Sequence, residues 1–215
     1  MSFYFPEGSK FYFSSTFASP KTVTAVTNAS PAVASSTSHG YVDGDIVLFS
    51  SGWEDATDCV FKVDQQSADT FQLLGLDATN TNFYPAGSGT GTTKAVSVWT
   101  EIPQLLDVTT NGGDVRYTTV ELLAKRNGIN VPTGFNAMSV SMTLAHDPSN
   151  ANYQTMLGLA RTLSPVAFKV VMSGGAVGYA YGYLSASEMP SMTRNQVNSV
   201  NAAITFLGRF ITYTS

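Results

Sequence analysis

Between residues 138 and 144 apolar and polar positions alternate strictly: Met138, Val140, Met142 and Leu144 are separated by Ser139, Ser141 and Thr143. Period two predicts a strand with one buried face. The rhythm then changes. Tyr153, Met156, Leu157, Ala160 and Leu163 recur at helical spacing, which predicts one amphipathic helix over 148–163, ended before Pro165. Asp147 is the candidate helix cap and Pro148 suits the first helical position. Two strands, 166–172 and 176–184, flank Ser173-Gly174-Gly175 and read as a hairpin. A strand is predicted over 101–108, and a long closing strand over 200–213. In the N-terminal half, short β-rich runs at 22–26, 45–49, 60–63 and 70–74, with turns such as Asp43-Gly44 between them, predict a small barrel or sandwich. Strands, one helix, then more strands make the fold class mainly β: an antiparallel β-sandwich with one flanking α-helix.

Composition sharpens this picture. Charged residues are only 12% of the chain, against a usual share of about 25%. The 24 serines and 25 threonines take their place. Such a charge-poor surface suits a protein covered by copies of itself, and equally a secreted or viral β-protein that is merely rich in serine and threonine. Charge is also uneven. Residues 21–93 hold two lysines against eight carboxylates, net −6, while the rest is +2. Ala18-Ser19-Pro20 opens this acidic stretch, and the Gly/Ser/Thr-rich run 85–93 closes it with the composition of a flexible connector. Residues 21–93 therefore read as a small all-β domain inserted into a host made of 1–20 and 94–215. The overall charge of −4 gives no basic footprint for gripping nucleic acid. No apolar run reaches the 18 residues of a membrane helix. The opening Met1-Ser2-Phe3-Tyr4-Phe5-Pro6 lacks the charged start and apolar centre of a signal peptide. Cys59 stands alone, so no internal disulfide forms, in keeping with assembly in a reducing host cytoplasm.

Little in the chain points to chemistry. His39, His146 and Cys59 have no metal-ligand spacing. Asp147 serves better as a cap than as a triad partner of His146. Asp58 beside Cys59 raises the thiol pKa and lowers its reactivity. Asp43-Gly44-Asp45 lacks the remaining ligands of a calcium loop and reads as a turn. The glycine run 87–91 has no phosphate-binding lysine. Tyr179, Tyr181 and Tyr183 share one strand face, where sheet packing is the default over base stacking. No catalytic, cofactor or metal residue is assigned, and the chain is not expected to be an enzyme.

Most of 94–215, with the opening strand Lys10-Phe11-Tyr12-Phe13, resembles the major tail tube proteins of long-tailed, siphovirus-type bacteriophages. The carriers are the 101–108 strand, the Gly/Thr-rich loop after it, Asn130-Val131-Pro132-Thr133-Gly134-Phe135, the alternating strand with Asp147 and the short helix, and the closing run 198–208. The resemblance implies a structural subunit whose hexameric rings stack into a tube. Its lumen holds the tape-measure protein and conducts genomic DNA without specific binding. Tail terminator and tail tip proteins complete the implied partners, with the virion tail as location. The loop at 109–137 is the candidate contact between rings, through Arg116, Tyr117, Val120, Leu122, Leu123 and Arg126; the plainer alternative is a strand or turn at 120–124 within one subunit. The 21–93 segment, by His39-Gly40-Tyr41-Val42-Asp43-Gly44-Asp45-Ile46-Val47 and Thr70-Phe71-Gln72-Leu73, resembles a small β-module of phage virion proteins. It is similar in fold to the first catalytic-cysteine half-domain of ubiquitin-activating enzymes, without that chemistry. Competing readings are another tail ring protein (terminator or distal tail) or a carbohydrate-binding adhesive module, with Tyr41, Trp53 and Tyr84 stacking on sugars.

Overall fold

A computed structural model describes residues 7–214. In chain order the strands are β1 (Lys10–Ser14), β2 (Lys21–Val23), β3 (Ala25–Val26), β4 (Ala32–Ser35), β5 (Ile46–Ser51), β6 (Cys59–Gln65), β7 (Thr70–Leu74), β8 (Gly91–Ala95), β9 (Thr100–Glu101), β10 (Leu105–Asn111), β11 (Val115–Val120), β12 (Ile129–Phe135), β13 (Ser139–Ala145), β14 (Pro165–Val171), β15 (Val177–Ala186), β16 (Ser199–Phe206) and β17 (Ile211–Tyr213). The single α-helix, α1, is Ala151–Thr162. The protein is mainly β, with antiparallel sheets, as the alternation predicts.

The first sheet runs β10-β13-β16-β15-β14-β1-β9, with β17 added beside β15. β15 serves two neighbours on one side. Its first residues pair with β17 and its last with β16. The sheet thus bends into a sandwich. Val140, Met142, Leu144, Val200, Ile204, Phe168 and Leu184 fill the interior, closed by Tyr153, Met156 and Leu157 of α1. Burying these side chains, at about 1.5–3 kcal/mol each, is the main force holding the layers together. Two glycines on β15 are required by close packing. A Cβ on Gly182 would meet the Thr205 carbonyl at 2.1 Å, and one on Gly178 would meet the Phe210 ring at 2.1 Å. Phe210 in turn stacks on Phe206, 6.2 Å between centroids and 8° from parallel.

The second sheet, β2-β8-β5-β6-β7-β4-β3, has its own core of Phe49, Trp53, Phe61, Phe71 and Leu73. It leans on the outer face of β14 and β15, where Leu48 and Val60 meet Ala167 and Tyr179. Lys169 lies across the same seam, its ammonium 4.5 Å from the Tyr12 ring centre and 5.0 Å from that of Trp99. Burial holds its pKa below the usual lysine value.

Several local expectations need correction. The helix begins at Ala151, and its cap is Asn150, whose side chain accepts from the backbone N–H groups of Asn152 and Tyr153 at 2.9 and 3.3 Å. Asp147 lies too far upstream. It closes a local turn by accepting from the Ser149 N–H at 3.1 Å and the Ser149 hydroxyl at 2.6 Å, which keeps its pKa low. The 101–108 strand is broken into β9 and β10, because Pro103 has no N–H and Gln104 takes φ of 53°. The closing strand breaks at Gly208, where a Cβ would meet the Asp58 carbonyl at 2.2 Å. The run 85–93 is no flexible connector. Gly91–Ala95 is a strand between β2 and β5, Thr93 is buried, and Gly89 lies against the Trp53 ring. Its threonines have the β-branched shape of strand residues. Its glycines admit close neighbours: a Cβ on Gly91 would meet the Ser50 carbonyl at 2.0 Å.

Candidate assembly surface

The most unusual element is the ribbon of β11 and β12. Among the described residues its strands pair only with each other, from Val115 opposite Phe135 to Val120 opposite Ile129, with a bulge between Arg116 and Tyr117. Gly112 and Gly113, both with φ of 80°, turn the chain from β10 into it. Hydrogen bonds from Gly113 N–H to the Asn136 carbonyl and from Asn136 N–H to the Asp114 carbonyl fix its base. At the far end, Lys125 N–H donates to the Leu122 carbonyl, forming the tip turn. A two-stranded ribbon standing alone in water is marginal at best.

The sequence-predicted contact residues all fall on this ribbon or its tip. Tyr117 is 59% exposed, Leu122 46%, and Leu123 fully bare; Val120, Arg116 and Arg126 are exposed as well. The Arg116 guanidinium Nε donates to the Thr133 hydroxyl at 3.4 Å across the bulge. Val120 ends a strand of its own subunit and a turn follows at 122–125, as the plainer alternative reads, and every residue of that strand is exposed. The structure adds Val115, Ile129, Val131 and Phe135, all exposed. The Asn127-Gly128 pair between two β-rich runs is the hairpin signal that could have located them. Side chains alternate between the two faces of a ribbon. Val115, Tyr117 and Phe135 share one face and Val120 and Ile129 the other, so both faces present apolar groups to water.

Two further features adjoin the ribbon. Among the described residues β10 pairs only with β13, which leaves one edge of the first sheet open. The outward face of β10, β13, β16 and the end of β15 carries Thr109, Ser141, Thr143, Asn201, Ala203 and Ser185, with Asp107 as its charged member. It is a layer of hydroxyls and amides without lysine or arginine. Thr143 donates to the Asn201 side-chain oxygen at 3.4 Å, and Ser185 to the Ala203 carbonyl at 3.3 Å.

The other candidates are structural. Tyr41, Trp53 and Tyr84 are buried, so they offer no sugar-stacking platform. Trp53 donates through its indole N–H to the Pro85 carbonyl at 2.8 Å, and Tyr41 through its hydroxyl to Thr93 at 3.0 Å. His39 is also buried; Nδ1 accepts from the Tyr41 N–H and Nε2 donates to the Ser67 carbonyl, each at 3.0 Å. Cys59 is buried with its thiol pKa pushed up, mainly by desolvation and to a smaller extent by Asp58 and Asp55. Tyr179 and Tyr181 pack against Trp99 and Phe17, and only Tyr183 is largely exposed. Among the described residues no three His, Cys, Asp or Glu side chains converge on a point.

A protein-family model described as "Phage tail tube protein, TTP" matches residues 51–215. That range differs from the resemblance read from the sequence: it takes in β6, β7 and β8 of the second sheet and does not reach the opening strand at 10–13. No curated protein matches the chain. With more than three-quarters of its length matched, on a β-rich fold that leaves an apolar ribbon and a sheet edge uncovered, the chain belongs to the phage tail tube protein family and is a structural component of the virion tail.

Proposed function

We propose that this chain forms hexameric rings that stack into a hollow tube, with sheet edges joined between neighbours and the ribbon of β11 and β12 bridging to an adjacent ring. The observation that carries the reading is the ribbon itself: an element this apolar, exposed on both faces, needs covering from outside its own subunit. The open edge of β10 supports lateral pairing, because a closed ring of sheets removes free strand edges. The hydroxyl and amide face of β13 and β16 is assigned to the lumen. It supplies no cationic contacts to hold phosphate, which suits a channel that holds a tape-measure protein and then passes DNA. Residues 21–93 act as an inserted domain on the outside of the tube. A terminator and tip proteins close the two ends, and assembly takes place in the host cytoplasm.

The test is electron microscopy of the purified protein beside Leu122→Asp/Leu123→Asp. Wild type is expected to grow into long tubes, and the double variant to remain folded and dispersed. Normal tubes from the variant would remove the ribbon tip from the contact.

A further inference from the structure

The sandwich is open at one end. Between the edge strand β10 and the β1–β14 pair lies a groove of about 680 Å³. Phe11, Val108, Met138, Met172 and Phe210 line it, each only partly buried although packed on the main core. Glu7 and Asp107 stand among the lining residues, and no lysine or arginine does.

The ribbon has the opposite character. Residues 115–135 carry Arg116, Lys125 and Arg126 against Glu121 alone, net +2 in a chain of −4. Its tip pairs two exposed leucines, Leu122 and Leu123, with Lys125 and Arg126 just beyond. The ribbon's base adjoins Thr110 and Met138, which line the groove. The tip is some seven extended residues further on, roughly 23 Å at about 3.3 Å per residue. A hydrogen-bonded ribbon of that length holds its leucines well away from its base.

We propose that the groove receives the Leu122–Leu123 tip of a second copy, with Lys125 and Arg126 facing Glu7. The inference rests on the tube reading above and names the acceptor that reading lacks. Donor and acceptor are different patches of one chain, so each copy offers a tip and fills its own groove with the next. Such head-to-tail contacts propagate as an open polymer when the step does not close. The apolar tip supplies the burial, and the charge pairing fixes orientation and discourages docking on the basic ribbon itself.

The experiment mixes two single variants of the full chain, Leu123→Cys and Met172→Cys, under mild oxidation, with microscopy run in parallel. Native Cys59 is buried and leaves both variants with one reactive thiol. A covalent dimer that forms only in the mixture is the expected result. Glu7→Lys should lower polymer yield, and Lys125→Glu/Arg126→Glu in the same chain should restore it. Tubes that form without the mixed dimer would overturn the acceptor assignment and leave the tube reading intact. Two intramolecular outcomes would also overturn it: a cross-link within one chain in Leu123→Cys/Met172→Cys, or in Phe3→Cys/Met172→Cys, which would seat the ribbon or the N-terminal segment of the same subunit in the groove. A wild-type chain that never polymerises would sink the tube reading, and this inference with it.

Discussion

The hydroxyl of Tyr213 donates to the carbonyl of Leu74 at 2.7 Å, tying the last strand of the first sheet to β7 of the second. The same oxygen accepts from the Lys62 N–H at 3.0 Å, so one phenol serves two backbone groups of the neighbouring sheet. Tyr213→Phe keeps the ring against Tyr179 but strands both groups in a partly buried seam. The expected loss is about 1–3 kcal/mol in urea unfolding of the dispersed chain. An unchanged midpoint would mean that water replaces the hydroxyl without cost.

Tyr213 also makes the seam sensitive to alkali. Burial is the largest cause of its pKa, pushed up from 10.0 to about 12. The folded state therefore holds its proton where the unfolded chain has already lost it. That contribution to stability is whole below pH 10 and falls as pH rises toward 12. Tyr179, Tyr181 and Tyr41 are raised by burial too and act in the same direction. Lys169, lowered by burial, opposes them up to its ordinary value. Stability measured between pH 9 and 12 is expected to drop with increasing pH, and less steeply in Tyr213→Phe. Tyrosinate absorbance should lag in the folded wild type; tyrosines that all ionise at the unfolded value would contradict the seam's burial.

The helix start offers a clean comparison of two neighbouring polar residues. Asn150→Ala removes the side-chain oxygen that two backbone N–H groups share, and should destabilise the subunit by about 1 kcal/mol. Asp147→Ala loosens an exposed turn and a 2.8 Å hydrogen bond from Gln104, and should cost clearly less. Thermal unfolding of the two variants decides it, and a larger loss for Asp147→Ala would return the cap to that residue.

These residues also mark where sequence patterns stop being informative. The alternation at 138–144 was enough for β13, because a half-buried strand writes its burial directly into period two. The helix was equally legible in Tyr153, Met156 and Leu157, but its start was not: Asp147, Ser149 and Asn150 are all competent caps, and only backbone geometry selects Asn150. The run 85–93 misled because the same glycines and threonines suit a loose linker or a strand crowded by Ser50 and Trp53. The ribbon's apolar residues were visible one by one. That they stand exposed was not, because exposure belongs to the fold and leaves no mark on local periodicity.

The placement of residues 21–93 outside the tube is open to direct trial. Lys21 pairs with Thr93, so the chain enters and leaves the second sheet on adjacent strands and the ends can be joined by a short turn. Bare excision would uncover Val177, Tyr179 and Tyr181, which pack under Leu48 and Val60, and would favour aggregation for reasons unrelated to assembly. Replacing those three by Thr keeps strand-forming residues while making the new surface polar. The excised, resurfaced chain is expected to form tubes with an unchanged lumen and a smaller outer diameter by electron microscopy. The family match reaches back to Ser51, so β6, β7 and β8 of the second sheet lie within the matched range. A folded but dispersed excised chain would move the second sheet from the outer surface into the contacts between subunits.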